Sequence, residues 1–246
     1  MSRWWVVALV LCGCGRWGFS DDPALLDGPG GGGDGNGSAM GDSGPPVDAA
    51  GTVFTFGERT GAQHTGVTTD TWLSSTSQAA NYGGDDNMSC SPANTALLRF
   101  DVSAIAPGTT VVAAELHIKT EDAGLSSGSV QVFQVLQPWT EGTGQGATGI
   151  ANYTQRMSAT AWANAGAGAP GSRSATVIGQ FDPATLQTDY TVTLGAAGVA
   201  AVQSWVNTPS SNDGLAFAVT AGGGSVSFQT RTAGASSAPL LVITVQ

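Results

Sequence analysis

The stretch spanning residues 95–120 constrains the fold of this chain more than any other. It contains two β-patterned runs, 96–100 and 111–119, and the connection between them holds Pro107 and Gly108, which are typical of a turn. Apolar and polar residues alternate along the second run, as they do in a strand with one buried face. We therefore expect two core strands of a sandwich here. The apolar positions of the second run are Val112, Ala114, Leu116 and Ile118.

Seven further runs have strand character, and turn-rich segments separate them. With 36 glycines and only 11% charged residues, the composition favours many short strands over helices. Residues 196–206 instead place valines at helical spacing before Asn207-Thr208-Pro209, which predicts one short helix. The chain is therefore predicted to be an all-β protein, an antiparallel β-sandwich with that helix. The seven strand candidates are residues 52–56, 70–74, 130–136, 190–194, 215–220, 226–230 and 240–245.

Residues 1–14, MSRWWVVALVLCGC, have the pattern of a secretory signal peptide: one arginine, a short apolar run and then small residues. The apolar run is too short to span a bilayer. Leu11-Cys12-Gly13-Cys14 resembles the bacterial lipoprotein box, which would place a lipid on Cys14. The alternative is ordinary cleavage and a freely secreted product. In either case we expect export to the outer surface or the medium, with membrane contact only through the lipid.

Residues 15–51 are rich in Gly, Asp, Pro and Ser and contain too few apolar side chains to form a core. We therefore expect a disordered linker there, followed by one sandwich domain, residues 52–246. The net charge of −10 and the scarcity of Lys and Arg argue against a surface that tracks phosphates, so nucleic acid is not an expected partner.

No residue pattern in the folded region indicates a catalytic centre. Cys90 has no expected disulfide partner, and neither His64 nor His117 stands in a motif that would make it a catalytic base. A hydrolase with paired carboxylates, such as Glu141 with Asp70, is the remaining enzymatic alternative, although nothing in the sequence places those two together. We therefore expect a protein without enzymatic activity.

Residues 142–173 form a long connection that is rich in Gly, Ala and Asn, and long connections in compact domains are often functional. This segment is the first candidate binding region. Sugar binding requires exposed aromatic rings together with polar groups that bond hydroxyls. Trp205 lies on the predicted helix and is expected in the core. The rings in or beside loops are the predicted carbohydrate contacts, with packing on the sandwich as the alternative for each: Trp72, Tyr82, Tyr153 and Trp162.

Several phrases along residues 52–246 occur in an order that is similar to one known family. They are DTWL with NYG, ALLRFDVSAI with PGTTVVAAELHI, WTEGTG, the spaced Tyr153 and Trp162-to-Gly171 segment, VQSWVN, NDGLAF, and SFQTRTAG with PLLVITV. The set resembles the DNRLRE modules, a disaggregatase-related β-sandwich group classed among carbohydrate-binding modules. The resemblance implies a secreted jelly-roll-like sandwich that binds polysaccharide or takes part in cell-surface assembly.

The chain departs from that family near its end. Thr230-Arg231-Thr232 stands where such modules often have Ser-Arg-Glu, and Ala238 stands where an Arg commonly precedes the Pro. We therefore expect an Arg–Glu pair to be missing at that edge. Some relatives resemble binders of acidic polysaccharides, for which basic residues would pair with carboxylates, while a neutral or mixed glycan is equally compatible. The outward-facing candidates are Arg99, Lys119 and Arg231.

Structural calcium is a second expectation, because exported sandwiches often fix loops with a cation held by oxygen ligands. Asp101 directly follows a strand and has turn capping as its alternative role, and the acidic turn GGDDN has solvation as its alternative. The four candidate ligands are Asp70, Asp85, Asp86 and Asp101.

The sequence thus predicts a non-catalytic, extracellular polysaccharide-binding or adhesion module of a surface-anchored bacterial protein. The alternative is a structural surface protein that contacts other proteins and buries its aromatic residues.

Overall fold

The computed structural model describes residues 51–124, 128–219 and 224–246, which belong to one compact unit, Asp48–Gln246. The predicted signal peptide, Cys14 and residues 15–50 of the predicted linker lie outside the described residues. In chain order the strands are β1 (Thr52–Gly57), β2 (Thr68–Ser74), β3 (Asn87–Cys90), β4 (Asn94–Phe100), β5 (Val111–Gly124), β6 (Val130–Val135), β7 (Gln155–Met157), β8 (Thr160–Ala161), β9 (Arg173–Phe181), β10 (Asp189–Thr193), β11 (Leu215–Val219), β12 (Ser225–Gln229) and β13 (Leu240–Val245).

Two antiparallel sheets carry the fold. Sheet I has the order β1-β13-β5-β12-β3, with β10 also paired to β5, and sheet II has the order β2-β4-β11-β6-β9. Alternate residues of each strand point to the shared interior, where Leu116 and Ile243 of sheet I join the same apolar cluster as Leu98 and Phe217 of sheet II. The all-β sandwich predicted from the sequence is confirmed.

Strand β5 shows how the sequence encodes this arrangement. Leu116 and Ile118 are fully buried, while the alternating His117 and Lys119 are only half-buried, as the period-two pattern predicts. Val112 is the exception, because it remains 40% exposed near the start of the strand.

The predicted helix is also confirmed, as α1 (Ala196–Asn207). It buries Val202 and Trp205 in the interior cluster, so the core position expected for Trp205 is correct. The side chain of Gln203 fixes α1 to the start of β5, since it accepts a hydrogen bond from Val111 N at 2.7 Å and donates to Thr109 O at 2.9 Å. Within the described part of the chain, no helix is long and apolar enough to cross a membrane.

The outer face of sheet II has a second apolar cluster. Leu73, Leu97 and Ala216 point away from the interior and are covered by residues of the connection between β6 and β9. Most of the predicted long loop, residues 142–173, therefore forms an ordered cover, which includes the small β7–β8 hairpin. The cover residues in this cluster are Trp139, Ala151, Trp162 and Ala167.

Candidate functional site

Strand β2 is an edge strand of sheet II, and Trp72 lies on it where the two sheets come together. The indole is only partly buried. Its ring stacks on that of Tyr82, with centroids 3.6 Å apart and planes 18° apart, and its Nε1 donates to Asp85 Oδ2 at 3.2 Å. Burial raises the pKa of Asp85, and the hydrogen bond from Trp72 opposes that shift. The loop after β2 thus fixes the orientation of Trp72 from two sides.

Tyr82 is the outer member of this pair, because Trp72 itself packs against the interior cluster. Tyr82 remains partly exposed although one of its faces lies against Trp72. The glycine-rich segment 142–149 passes the edge of the ring, where a Cβ added to Gly146 would lie 3.5 Å from Tyr82 Cε1. Tyr82 is therefore a partly exposed aromatic side chain at this edge, held between Trp72 and the segment 142–149.

Asn81 holds that segment in place. Its side chain is 1% exposed, and its Nδ2 donates to Glu141 O at 2.7 Å and to Ala151 O at 2.8 Å. Its Oδ1 accepts a hydrogen bond from Gly144 N at 2.6 Å. Residues 141–151 consequently wrap around one buried amide, which brings Glu141 to the edge strand β2.

Two glycines make this close approach possible. A Cβ on Gly83 would collide with the carbonyl oxygen of Glu141, and one on Gly142 would collide with that of Ile150. Gly142 also has φ +73°, a conformation that side chains with a Cβ rarely adopt. The phrases NYG and WTEGTG therefore have a common physical reason, since each supplies a glycine where two loops touch.

An ion pair lies beside the aromatic pair. Arg231 donates from Nε and Nη2 to the two carboxylate oxygens of Glu141, each at 2.9 Å. Asp70 bonds to both partners of this ion pair, because its N donates to Glu141 Oε1 at 2.8 Å and its Oδ2 accepts from Arg231 N at 2.7 Å. The expectation that an Arg–Glu pair is missing at this edge is therefore wrong. Glu141, from the WTEGTG phrase, supplies the carboxylate from a distant part of the chain.

Burial dominates the electrostatics of this cluster. The carboxyl of Asp70 is 1% exposed, and its burial, together with the charge of Glu141, raises its pKa to about 7 against the opposing hydrogen bond and charge of Arg231. The hydrogen bonds to Glu141 raise the pKa of Arg231. Asp70 is too deeply buried to touch a substrate, and both oxygens of Glu141 are occupied by Arg231. The two carboxylates lie together, but they do not form the open pair that a glycoside hydrolase needs.

Tyr153 and Trp162 belong to the cover over sheet II. Trp162 is 5% exposed, and its Nε1 donates to Asn152 O at 2.9 Å. Tyr153 packs against the same apolar cluster, with Gly166 close to its ring. Both residues therefore pack on the sandwich, which was the alternative to a carbohydrate contact, because the outer face of sheet II is apolar and they cover it. Trp162 has no exposed ring face on which a sugar could stack.

The three basic candidates lie apart. Arg231 is at the edge just described, whereas Arg99 is on the outer side of sheet II with its guanidinium 5.2 Å from the Trp139 ring centroid. Lys119 is on sheet I, with Nζ 3.5 Å from Ser237 Oγ. They do not form one basic surface.

The four aspartates considered for calcium do not converge either. Asp85 accepts from Trp72, Asp86 is exposed, and Asp101 Oδ1 accepts from Ser103 N at 2.9 Å in a turn cap, while Asp70 sits in the ion-pair cluster. Among the described residues, no group of three His, Cys, Asp or Glu side chains is placed to hold a metal ion. The four carboxylates therefore do not form a common site in the described part of the chain, and structural calcium stays a prediction.

The fold and this edge define a β-sandwich with a fixed aromatic and ionic surface at one side. Residues 62–167 match the model of carbohydrate-binding module family 96. The matched stretch contains Trp72, Tyr82 and Glu141 and ends before β9, while Arg231 lies outside it. No curated protein matches the chain. This part of the chain therefore resembles a carbohydrate-binding module.

Proposed function

We propose that this protein is a non-catalytic carbohydrate-binding module that holds a polysaccharide at the edge formed by Trp72 and Tyr82. The observation that carries the proposal is the partly exposed ring of Tyr82, stacked on Trp72 within the stretch that matches the module family. The apolar face of a sugar ring packs on such an aromatic surface. Preorganisation supports the role, because a ring already fixed by stacking loses little conformational entropy when a ligand binds.

Arg231 supplies the polar side of the proposed site. Its side chain is 32% exposed, and the ion pair with Glu141 uses only its Nε and one hydrogen of Nη2. The remaining N–H groups are free, in the described part of the chain, to donate to hydroxyl or carboxylate oxygens of a glycan. An aromatic platform beside a held arginine is a combination that recognises a sugar both by stacking and by hydrogen bonding.

A retention experiment tests the proposal. The full chain is passed over immobilised neutral and uronic-acid polysaccharides, alongside Tyr82→Ala and the matched control Tyr82→Phe, which keeps the ring and loses only the hydroxyl. We expect retention of the wild type and of Tyr82→Phe, and loss of retention for Tyr82→Ala with the native circular dichroism spectrum preserved. If no polysaccharide retains the wild type, the alternative of a structural surface protein takes its place.

The setting that we propose is the bacterial surface, with a lipid on Cys14 and residues 15–51 as the tether. The signal pattern and the lipoprotein box support it. We also assign the chain to the DNRLRE group, because VQSWVN, NDGLAF and SFQTRTAG continue the resemblance beyond the matched residues 62–167.

Expression in a bacterial host tests the anchor. We expect the wild type to partition into the detergent phase and the Cys14→Ser variant to stay in the aqueous phase. Equal partitioning of the two proteins into the aqueous phase would contradict lipidation.

A further inference from the structure

A cleft of about 580 Å³ lies beside Arg99, and none of the residues of the Trp72–Tyr82 edge line it. Its walls come from the residues around the start of β2, the end of β4 and the turn after it, Pro138, and the 3₁₀ turn Pro209–Ser211 with the residues after it. This volume is within the range of small-molecule sites in proteins. The cleft therefore offers room for a ligand at a place apart from the Trp72–Tyr82 edge.

Arg99 is fixed in this cleft by Trp139. Its guanidinium carbon is 5.2 Å from the ring centroid, and Nη1 donates to Trp139 O at 3.5 Å. The other N–H groups of Arg99 have no hydrogen-bond partner among the described residues. They are donors held at a known place, with Trp139 itself buried beneath them.

Asp213 faces the same cleft as an acceptor. Its backbone oxygen accepts a hydrogen bond from Trp139 Nε1 at 2.8 Å, so the residue is anchored to the same indole as Arg99. No ion pair or hydrogen bond engages its carboxylate in the part of the chain that the structure describes. Partial burial raises the pKa of Asp213, and the charges of Arg99 and Arg156 oppose that shift.

An arginine and an aspartate that share a cleft without pairing present donors and acceptors to the same ligand. A carboxylate accepts two O–H groups from neighbouring hydroxyls, and a guanidinium donates to ring or hydroxyl oxygens. Asp101 also lines the cleft, so its walls carry two carboxylates and one guanidinium. An anionic sugar would meet like charge there, whereas a neutral polyhydroxyl ring would not.

We infer that this cleft is a second glycan subsite, which binds one neutral hexose unit between Asp213 and Arg99. The inference rests on the proposed carbohydrate-binding function but uses residues separate from the Trp72–Tyr82 edge. A polysaccharide that engages both sites would gain avidity, because the second contact forms within the same complex.

Titration of the full chain with three methyl glycosides (of glucose, galactose and mannose) and with methyl glucuronide tests the inference by calorimetry or ligand-observed NMR. We expect at least one neutral glycoside to bind and methyl glucuronide to bind more weakly. Asp213→Asn should weaken that binding about tenfold or more, since a hydrogen bond to a charged group is lost. Asp182→Asn, at an exposed aspartate outside the cleft, is the matched control and should bind as the wild type does.

Ser210→Trp provides a second test that does not depend on the stability of Asp213→Asn. Ser210 is exposed and lines the cleft, so an indole there would fill the space without entering the core. We expect it to abolish glycoside binding. Binding that survives both variants, tighter binding of methyl glucuronide, or no binding of any neutral glycoside would overturn the inference. Polysaccharide retention that depends on Tyr82 would still stand in those cases, so the two proposals fail separately.

Discussion

Asp70, Glu141 and Arg231 show how three charged side chains can be accommodated at the edge of an apolar sandwich. The guanidinium of Arg231 donates to both carboxylate oxygens of Glu141. The backbone N–H of Asp70 also donates to Glu141, and the backbone N–H of Arg231 donates to the carboxylate of Asp70. Removing one partner from such a network leaves the others partly buried and uncompensated, which costs more than the pair contributes in isolation.

Substitution of Arg231 tests the network. Arg231→Ala should lower the free energy of unfolding by about 1–3 kcal/mol, because Glu141 and Asp70 are then left close together without a counter-charge. Arg231→Lys keeps the charge but cannot make the bidentate contact, so we expect a smaller loss. Urea unfolding of the three proteins measures both effects. Equal stability of wild type and Arg231→Ala would show that the ion pair contributes nothing.

The raised pKa of Asp70 predicts a pH dependence of stability. The ordinary pKa of this carboxyl is 3.8, and its pKa in the folded state is about 7. Between these two pH values the carboxyl keeps its proton in the folded state and has lost it in the unfolded chain. The folded state binds more protons in that window, so the contribution of Asp70 to stability is present at low pH and is lost as the pH rises through about 7. Glu141, Arg231 and Glu58 are the charged groups that act on it.

Asp70→Asn isolates this contribution, because the amide oxygen can still accept from Arg231 N. We expect the stability of Asp70→Asn relative to wild type to increase between about pH 5 and about pH 8, as measured by urea unfolding at several pH values. A constant difference across that range would contradict the raised pKa.

At the scale of elements, the connection between β6 and β9 is the part of the chain that builds both the cover of sheet II and one side of the candidate site. Its path depends on Asn81, which is buried and bonded to three backbone groups of residues 141–151. It also depends on glycines where a Cβ would strike backbone. Gly142 combines a positive φ with a close approach to Ile150, so it is the residue at which the segment tolerates change least.

Alanine substitutions at two glycines separate the cost of a positive φ from the cost of a Cβ that collides with the backbone. Gly142 and Gly108 both have positive φ, but a Cβ on Gly108 would meet nothing within 4 Å. Gly108→Ala should therefore cost only about 1 kcal/mol of backbone strain, whereas Gly142→Ala should cost clearly more and also weaken polysaccharide retention. Thermal unfolding and retention assays of both variants measure this. Similar losses for the two would mean that the contact with Ile150 is easily relieved.

Much of the element pattern could be read from the sequence, and the exceptions have physical reasons. The period-two alternation of β5 and the helical spacing of α1 are local signals, and both elements formed where predicted. Four strands were not predicted. Strands β3, β7 and β8 have four residues or fewer, and in β9 only the side chains of Ile178 and Phe181 are buried. These strands form because of the strands beside them, and that information is not present in a single run of residues.

Less of the candidate site than of the fold could be predicted from the sequence. Trp72 and Tyr82 were predicted as ligand contacts, and their rings do lie together. The local sequence pattern, however, does not distinguish a partly exposed ring from a buried ring that covers a sheet, such as that of Trp162. The partner of Arg231 could not be found from local pattern, because Glu141 is 90 positions away in the chain. Long-range contacts of this kind depend on the topology of the whole sandwich.

At the scale of the whole molecule, the apolar interior between the two sheets stabilises the fold. The reactivity of Cys90 measures whether this interior is accessible to solvent. This side chain is fully buried on β3, and burial raises the pKa of its thiol to about 12. Since the thiolate is the reactive form, Cys90 should react with iodoacetamide only when the sandwich opens.

Peptide mapping of alkylated Cys90 tests that expectation. We expect negligible modification of Cys90 in native buffer and complete modification in denaturant, with the rate following global unfolding. Rapid labelling of Cys90 while the circular dichroism stays native would mean that the β3 edge opens independently of the rest.

The central claim is that a glycan binds at the edge built from Trp72, Tyr82, Glu141 and Arg231. Hydrogen–deuterium exchange locates binding directly, using the full chain with and without an oligosaccharide released from the polysaccharide that retains it. We predict slower exchange in residues 72–86, 141–146 and 230–232 when the oligosaccharide is bound. Unchanged exchange in those three segments, with protection elsewhere on the sandwich, would contradict the claim.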